Sequence, residues 1–303
     1  MARTTTTIRS AGNLEIALLV GIAIIWASAF IGIKIAVEDV TPLWLAAFRV
    51  LVGFAVLLPY ALWRGLRFPK SQNQWTLLFV MAMFNVTIPF FLISWAQQTI
   101  DAGVTSLLMG TGPFFALLGS HVFTDDDKIT GRKLTAVLCG ILGVIILVGG
   151  DALQQVGAQN TVSQLAVLCG SLCYVTAGLI LRRIALDAVS MAVLALGAGA
   201  TVLLIAALTV DGLPPGLPGQ RATLALIYLG LFPTGIAYIL RFYLIREVGY
   251  STFSLSINLI PVFGVILGFL VLSEPLDPQV LIALALVMVG LFIARPPKLK
   301  SDE

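Results

Sequence analysis

Long apolar runs alternate with short polar breaks along the whole chain. A helix needs about 20 apolar residues to cross the ~30 Å hydrocarbon layer of a bilayer. Ten runs of about this length occur, each bounded by Gly, Pro or charged residues. The predicted spans are 16–37, 41–64, 75–97, 103–123, 132–149, 161–182, 188–210, 222–246, 250–272 and 277–294. No break is long enough for a soluble domain, so the pattern predicts an all-α integral membrane protein.

The composition supports this fold class. Apolar residues make up 59% of the 303 residues and charged residues only 11%, whereas a globular domain is about half apolar and a quarter charged. The chain therefore has too few charges to cover a water-facing surface, and the lipid bilayer is its expected surrounding. The net charge of +3, with no Lys/Arg-rich run, predicts no nucleic-acid partner.

Several chemistries are excluded by the scarce Cys and His residues. The three cysteines, Cys139, Cys169 and Cys173, all lie inside apolar runs, and an odd number so placed is not a disulfide framework. A single histidine cannot supply a zinc site, and no phosphate-binding loop is present. No metal, cofactor or enzymatic activity is therefore expected, because intramembrane proteases also need Ser and His, or paired Asp, at membrane depth.

The basic residues predict the orientation. With ten spans and an inner N-terminus, only Lys34 and Arg221 of the 18 Lys and Arg residues lie at the outer face, and Arg49 and Arg241 lie within spans. All the others lie at the inner face, as the positive-inside rule requires. We therefore predict a multi-pass protein of the cell (inner) membrane with both termini in the cytoplasm.

The two halves of the chain resemble each other. The segment KIAVEDVT from Lys34 recurs as RIALDAVS from Arg183, an offset of 149. An offset of about 148 aligns three further pairs: Phe84 with Phe232, Pro113 with Pro261, and Asp126 with Glu274. Five spans per half is an odd number, so the second repeat must enter the membrane in the opposite orientation. Inverted repeats around a central cavity are typical of secondary transporters.

This repeat defines the predicted organisation of the chain. It comprises a cytoplasmic tail (1–15), a first five-helix repeat (16–149), an outer linker (150–160), a second five-helix repeat (161–294) and a second cytoplasmic tail (295–303).

Polar and aromatic residues at membrane depth are candidates for the transport pathway, because such groups are costly there. Most of them recur at spacings of three or four residues, which places them on one helix face. The substrate-cavity candidates are Trp26, Asn85, Pro89, Ser106, Met109, Thr111, Tyr174, Thr234, Tyr238, Arg241, Ser254 and Asn258. Dry helix packing is the alternative for the small residues, and core packing for the aromatic ones.

A second group of residues receives a structural interpretation. Gly264 and Gly268 form a GxxxG pair suited to close helix packing. Lys34 is interpreted as an interfacial anchor and Arg49 as a brace of the second helix. Pro261 cannot donate a backbone N–H, which would leave the carbonyl of Ile257 free, and Pro113 is its pseudo-equivalent on the fourth helix.

Two questions stay open at this point. Arg241 either extends to the cytoplasmic face or faces the cavity to meet a substrate carboxylate. The acidic residues all lie at helix ends, in loops or in tails. Because proton-coupled transporters need a titratable group within the membrane, we predict uniport or exchange.

The residues also resemble those of the EamA family of the drug/metabolite transporter superfamily. The resemblance lies in WASAF from Trp26 followed by Lys34, Pro42 and AAFR ending at Arg49, and in AGVTSLLMGTGPFFALL from Ala102. The paired acids also resemble the family pattern, with Asp126 where the family usually has glutamate, as do the glycines near the end of each repeat, Gly140, Gly143 and Gly290.

The resemblance implies a ten-helix basket with a cavity lined by the first, third, fourth, sixth, eighth and ninth helices. It also implies that the fifth and tenth helices serve packing or dimerisation, so a homodimer is possible. The implied function is export of amino acids or related small metabolites. Cationic drugs, sugar phosphates and nucleotide sugars are the alternative substrates within the superfamily.

The predicted topology can be tested with single cysteines. In a variant whose three native cysteines are replaced by serine, we expect Ser10→Cys and Ser301→Cys both to react with an impermeant maleimide only after the cells are permeabilised. Asn160→Cys in the outer linker is the control and should react in intact cells. Labelling of the two tails from opposite sides would contradict the even number of spans and the inverted repeat.

Overall fold

The computed structural model describes residues 12–123, 130–153, 158–214 and 216–294, and these are helical with no strand among them. We number the helices in ten groups that follow the apolar runs. The groups are α1 (Asn13–Ala36), α2 (Pro42–Trp63), α3 (Gln72–Ala96), α4 (Ala102–Met109 and Gly112–Phe123), α5 (Gly131–Leu153), α6 (Ala158–Leu181), α7 (Ala188–Val210), α8 (Gln220–Gly249), α9 (250–257 and Ile260–Leu272) and α10 (Pro278–Ala294).

The all-α membrane fold is confirmed. Eight helices, from α1 to α8, contain stretches long and apolar enough to cross a bilayer, and Ile260–Leu272 and Pro278–Ala294 are shorter apolar helices. The total of ten spans stays a prediction. α8 and α9 join without a loop at Gly249, whose φ of 79° and ψ of 161° turn the backbone in a way that suits glycine.

The third helix of each repeat is locally widened. π-helical segments occupy Met83–Thr87 in α3 and Gly230–Ile236 in α8. Pro233 lies inside the second segment and Pro89 follows the first. Because proline cannot donate a backbone N–H, it favours such departures from regular α-helix.

The fourth helix of each repeat is broken at equivalent places. α4 ends its first piece at Met109 and resumes at Gly112, and α9 ends its first piece at Ile257 and resumes at Ile260. Both pairs of positions differ by 148 residues, the offset found in the sequence. Pro113 and Pro261 are each the second residue of the resumed helix, where no N–H is needed.

α4 and α9 cross in backbone contact at these breaks. A Cβ added to Gly110 would overlap the ring of Pro261, and one added to Gly264 would overlap the side chain of Ser106. A Cβ added to Gly268 would overlap the carboxylate of Glu274 and lie 3.3 Å from the backbone nitrogen of Gly103. The two repeats therefore pack through small residues, which is how membrane helices approach most closely.

Charged side chains satisfy helix ends at the side of the bundle opposite the termini. The carboxylate of Glu274 accepts hydrogen bonds from the backbone N–H groups of Ala102 (2.7 Å) and Gly103 (2.9 Å) at the start of α4. Burial raises the pKa of Glu274, an effect that these two N–H groups oppose. Its sequence counterpart Asp126 lies outside the described residues.

Lys34, interpreted from the sequence as an interfacial anchor, lies in the last turn of α1 and joins it to α3, and the anchor role stays a prediction. Its ammonium group donates to the carbonyls of Gln97 (3.1 Å) and Ile100 (2.8 Å) at the end of α3. Because these carbonyls have no partner within the helix, a cation there completes their hydrogen bonding.

α5 and α10 pack extensively against each other, through Gly143 and Val287 among others. Their outward faces are apolar and exposed, as lipid contact requires; examples are Ile145 and Phe292. The homodimer stays a prediction.

The crossing of α4 and α9 can be tested at Gly110. Since a methyl group there would collide with Pro261, we expect Gly110→Ala to lower the stability by about 1–3 kcal/mol. The midpoint of thermal unfolding in detergent measures this. The matched control is Gly178→Ala in α6, where an added Cβ meets nothing within 4 Å. Equal midpoints for the two variants would show that the breaks are not tightly packed.

Candidate functional site

The centre of the bundle is built by close packing of α2 against the π-helical segment of α8. A Cβ added to Gly53 would lie 2.9 Å from the Cβ of Thr234, and Gly235 approaches Val56 in a similar way. The widened backbone of α8 therefore lies directly against α2. This contact joins the two repeats and places Arg49 opposite Thr234.

Arg49 is a nearly buried cation at this joint. It is 8% exposed, its Nε donates to the hydroxyl of Thr234 at 2.9 Å, and that hydroxyl donates to the carbonyl of Leu229 at 2.8 Å. The guanidinium carbon lies 4.2 Å from the ring centre of Phe90 on α3. A cation–π contact of this kind is stronger where water is excluded.

Two phenols complete the surroundings of Arg49. Tyr174 on α6 and Tyr238 on α8 are the titratable groups that interact electrostatically with it. Both are half-buried although they lie mid-helix and pack against the same apolar cluster of α2, α3, α6 and α7. Arg49, Phe90, Tyr174, Thr234 and Tyr238, which we call the central cluster, thus bring together helices of both repeats.

Trp26 on α1 satisfies the irregular backbone of α8. Its indole Nε1 donates to the carbonyl of Pro233 at 3.2 Å, inside the π-helical segment. Its ring meets that of Phe253 on α9 edge-on, with centres 5.9 Å apart. A backbone carbonyl in the middle of a membrane span needs a hydrogen-bond donor, and Trp26 supplies one to Pro233. This contact explains why a tryptophan lies near the middle of α1.

Arg241 belongs to a different group from Arg49. Its guanidinium carbon lies 6.0 Å from the ring centre of Phe253. The Nε atom is buried and makes no hydrogen bond within the described residues. Arg241 follows Thr234 by seven residues on α8, about 10 Å along the axis. The two cations thus lie at different depths.

The candidates on α4 are packed into helix contacts. Ser106 and Thr111 are buried, and their hydroxyls donate to carbonyls of their own helix, of Gly103 (2.8 Å) and Leu108 (2.6 Å) respectively. In this conformation they do not offer free hydroxyls to a cavity. Met109, by contrast, is half-buried beside the same break.

The other candidates are distributed over three places. Asn85 is half-buried in the π-helical segment of α3, and Pro89 is buried against Gly170 of α6. Ser254 is half-buried on α9. Asn258 lines an open cavity of about 330 Å³ with four apolar residues of α10, Met288, Val289, Leu291 and Phe292.

Sequence reasoning missed both aromatic partners of the cations, Phe90 and Phe253. The chain has 17 phenylalanines, most of them in apolar runs, so composition and spacing do not single these two out. Gln97 was missed as well; it is buried and donates to the carbonyl of Phe30 at 3.0 Å. The one sequence feature that could have indicated this role is the position of Gln97, a polar residue at the end of an apolar helix.

A polar and aromatic centre between two structural repeats is the arrangement typical of membrane transporters. The sequence profile of the EamA-like transporter family matches residues 13–149 and 161–295, one match for each repeat. The chain belongs to this family, which confirms the resemblance found in the sequence.

Curated relatives cover nearly the full length. An uncharacterized transporter, YoaV, of Bacillus subtilis strain 168 is 22% identical over 91% of this chain and 94% of its own. The uncharacterized inner membrane transporter YedA of Escherichia coli K12 is 28% identical over 92% of both chains. A probable terminal-alkyne amino-acid exporter of Streptantibioticus cattleyicolor is 26% identical over 91% of both.

A solved crystal structure shares the fold. It superposes with a TM-score of 0.67 at 20% identity and covers 94% of this chain and 98% of the other.

The link between Arg49 and Thr234 can be tested by Thr234→Val, which keeps the shape of the side chain and removes its hydroxyl. Because the lost hydrogen bond has a charged donor, we expect a loss of about 1.5–3 kcal/mol, seen as a lower midpoint of thermal unfolding. Thr201→Val on α7 is the control, since that exposed hydroxyl only donates to its own helix at Gly197. The same small effect from both variants would contradict the bridging role.

Proposed function

We propose that the chain is a secondary transporter that exports small metabolites, with amino acids as its substrate class. The observation that carries the proposal is the central cluster, in which one cation and three aromatic rings lie between helices of both repeats. A carboxylate with an apolar or aromatic side chain matches such a centre in charge and in surface.

The fold supports alternating access. Both repeats carry a π-helical segment in the third helix and a break in the fourth, and the breaks of α4 and α9 meet where the repeats cross. Two similar halves in opposite orientation have near-equivalent inward-open and outward-open packings. Rocking of one repeat against the other would expose the central cluster to each side in turn.

The relatives support the substrate class. The Streptantibioticus cattleyicolor protein, whose name states probable export of a terminal-alkyne amino acid, is 26% identical along 91% of this chain. Sugar-phosphate carriers are a weaker alternative, because a doubly charged phosphate would favour a second cation and the central cluster contains one. We further propose an inner-membrane location with both termini in the cytoplasm, on the basis of the basic residues at that face.

The energy source follows from the position of the acids. Among the described residues the carboxylates lie at or near helix ends, such as Glu15, Asp101, Asp187 and Glu247, and none lies in the central cluster. Without a titratable carboxylate at depth, the proposed mechanism is uniport or exchange of substrates rather than proton antiport.

Transport by purified protein in proteoliposomes tests both parts of the proposal. Vesicles loaded with unlabelled L-phenylalanine, L-leucine or L-alanine are expected to accumulate the same labelled amino acid from outside by counterflow, at equal pH on both sides and without a membrane potential. Protein-free vesicles and vesicles loaded with glucose 6-phosphate are the controls.

Two results would contradict the proposal. Counterflow of glucose 6-phosphate or of a quaternary ammonium compound, with none of any amino acid, would exclude the substrate class. Amino-acid transport that strictly required a pH gradient would exclude the uncoupled mechanism.

A further inference from the structure

Most hydrogen-bonding capacity of Arg49 is not used by the protein. Within the described ranges its single hydrogen bond runs from Nε to Thr234. A guanidinium carries five N–H donors, so four donors on the two terminal nitrogens have no protein acceptor there. Arg49 is not fully enclosed by the described residues, since 8% of its surface stays exposed.

The charge of Arg49 is also unbalanced. The described residues place no carboxylate against it, and its electrostatic neighbours are the phenols of Tyr174 and Tyr238. A cation that is 8% exposed in an apolar bundle is costly without a counter-charge. If Arg49 only braced α2, its terminal nitrogens would need acceptors within the protein. The described residues supply one acceptor to this side chain, the hydroxyl of Thr234, and it binds Nε.

The cation is present in one repeat only. At the equivalent joint of the other repeat, α7 packs against the π-helical segment of α3, where Gly199 lies against Val86. The offset of 149 residues puts Ala198 at the position of Arg49. At that joint the hydroxyl of Thr87 is buried and has no partner within the described residues. The centre is therefore polarised, with positive charge towards the α2–α8 side.

We propose that Arg49, with the hydroxyls of Tyr174 and Tyr238, forms the subsite for the substrate carboxylate; this inference rests on the proposed amino-acid transport. A carboxylate matches the two terminal nitrogens of a guanidinium in geometry and balances its single charge. Thr234 and the ring of Phe90 fix the orientation of the guanidinium. The substrate side chain then extends away from Arg49, so the substrate binds in one orientation.

The test compares three ligands that differ only at the carboxylate. L-phenylalanine, L-phenylalaninamide and phenethylamine share one side chain, and L-leucine, L-leucinamide and isopentylamine form the aliphatic series. Binding to the purified full chain is measured by the ligand-dependent rise of the unfolding midpoint and by inhibition of counterflow. We expect the wild type to prefer the amino acid over its amide and amine by about tenfold or more, the effect of a charge-assisted hydrogen bond.

Variants assign this preference to residues. Arg49→Gln is expected to reduce the preference for the amino acid over its amide and amine to about onefold, and Arg49→Lys to retain part of that preference. Tyr174→Phe and Tyr238→Phe are each expected to reduce the preference several-fold. Arg221→Gln is the matched control, because it removes an equal charge at the exposed start of α8 and should keep the wild-type ratio.

The outcomes separate this inference from the proposed function. If the wild type neither binds nor transports any amino acid, the proposed function itself fails. If it transports amino acids but Arg49→Gln keeps the full preference, or Arg241→Gln abolishes it instead, the subsite at Arg49 is overturned alone. If Arg49→Gln does not fold, two other results still overturn the subsite. One is a wild-type affinity ratio of amino acid to amide near one, and the other is an unchanged preference in both tyrosine variants.

Discussion

Backbone N–H and C=O groups find no water in the hydrocarbon layer, so each needs a partner within the protein or in a wet cavity. That constraint explains where the irregular parts of this fold lie. The π-helical segments of α3 and α8 and the breaks of α4 and α9 are all near mid-helix. They are covered by neighbouring helices, as when the indole of Trp26 donates to the carbonyl of Pro233. Irregular backbone is concentrated in the centre because only there can other parts of the chain satisfy it.

Contact between the repeats depends on small residues at the same places. Gly110 admits the ring of Pro261, and Gly53 admits Thr234. Such contacts bring the two broken helices, α4 and α9, together and place the widened segment of α8 against the regular helix α2. A helix that departs from regular geometry only at its middle has two stiff ends and one adaptable point, which is the arrangement that rocking motions of transporters use.

The two repeats share a backbone plan but not a charge pattern. Arg49 on α2 has Ala198 as its counterpart on α7. Thr234 is hydrogen-bonded to Arg49, whereas the hydroxyl of Thr87, at the α3–α7 joint, has no partner among the described residues. The equivalence of the halves allows two similar packings, whereas the single cation distinguishes one side of the centre from the other. An amino acid is asymmetric in a similar way, because its charged groups lie at one end and its side chain at the other.

The sequence by itself determined the membrane class, the helix order and the two repeats, because long apolar runs and a 148–149-residue offset are properties of the chain order alone. It also singled out Pro113 and Pro261 as residues without a backbone N–H, and the structure places each at the start of a resumed helix. The tertiary structure decided which deep polar groups meet. Ser106 and Thr111, predicted to line a cavity, are buried with their hydroxyls bonded to their own helix, and Arg49, interpreted as a brace, has terminal nitrogens without a protein acceptor among the described residues. Spacing fixes the face of a helix on which a residue lies, but what that face meets depends on how the helices rotate and cross.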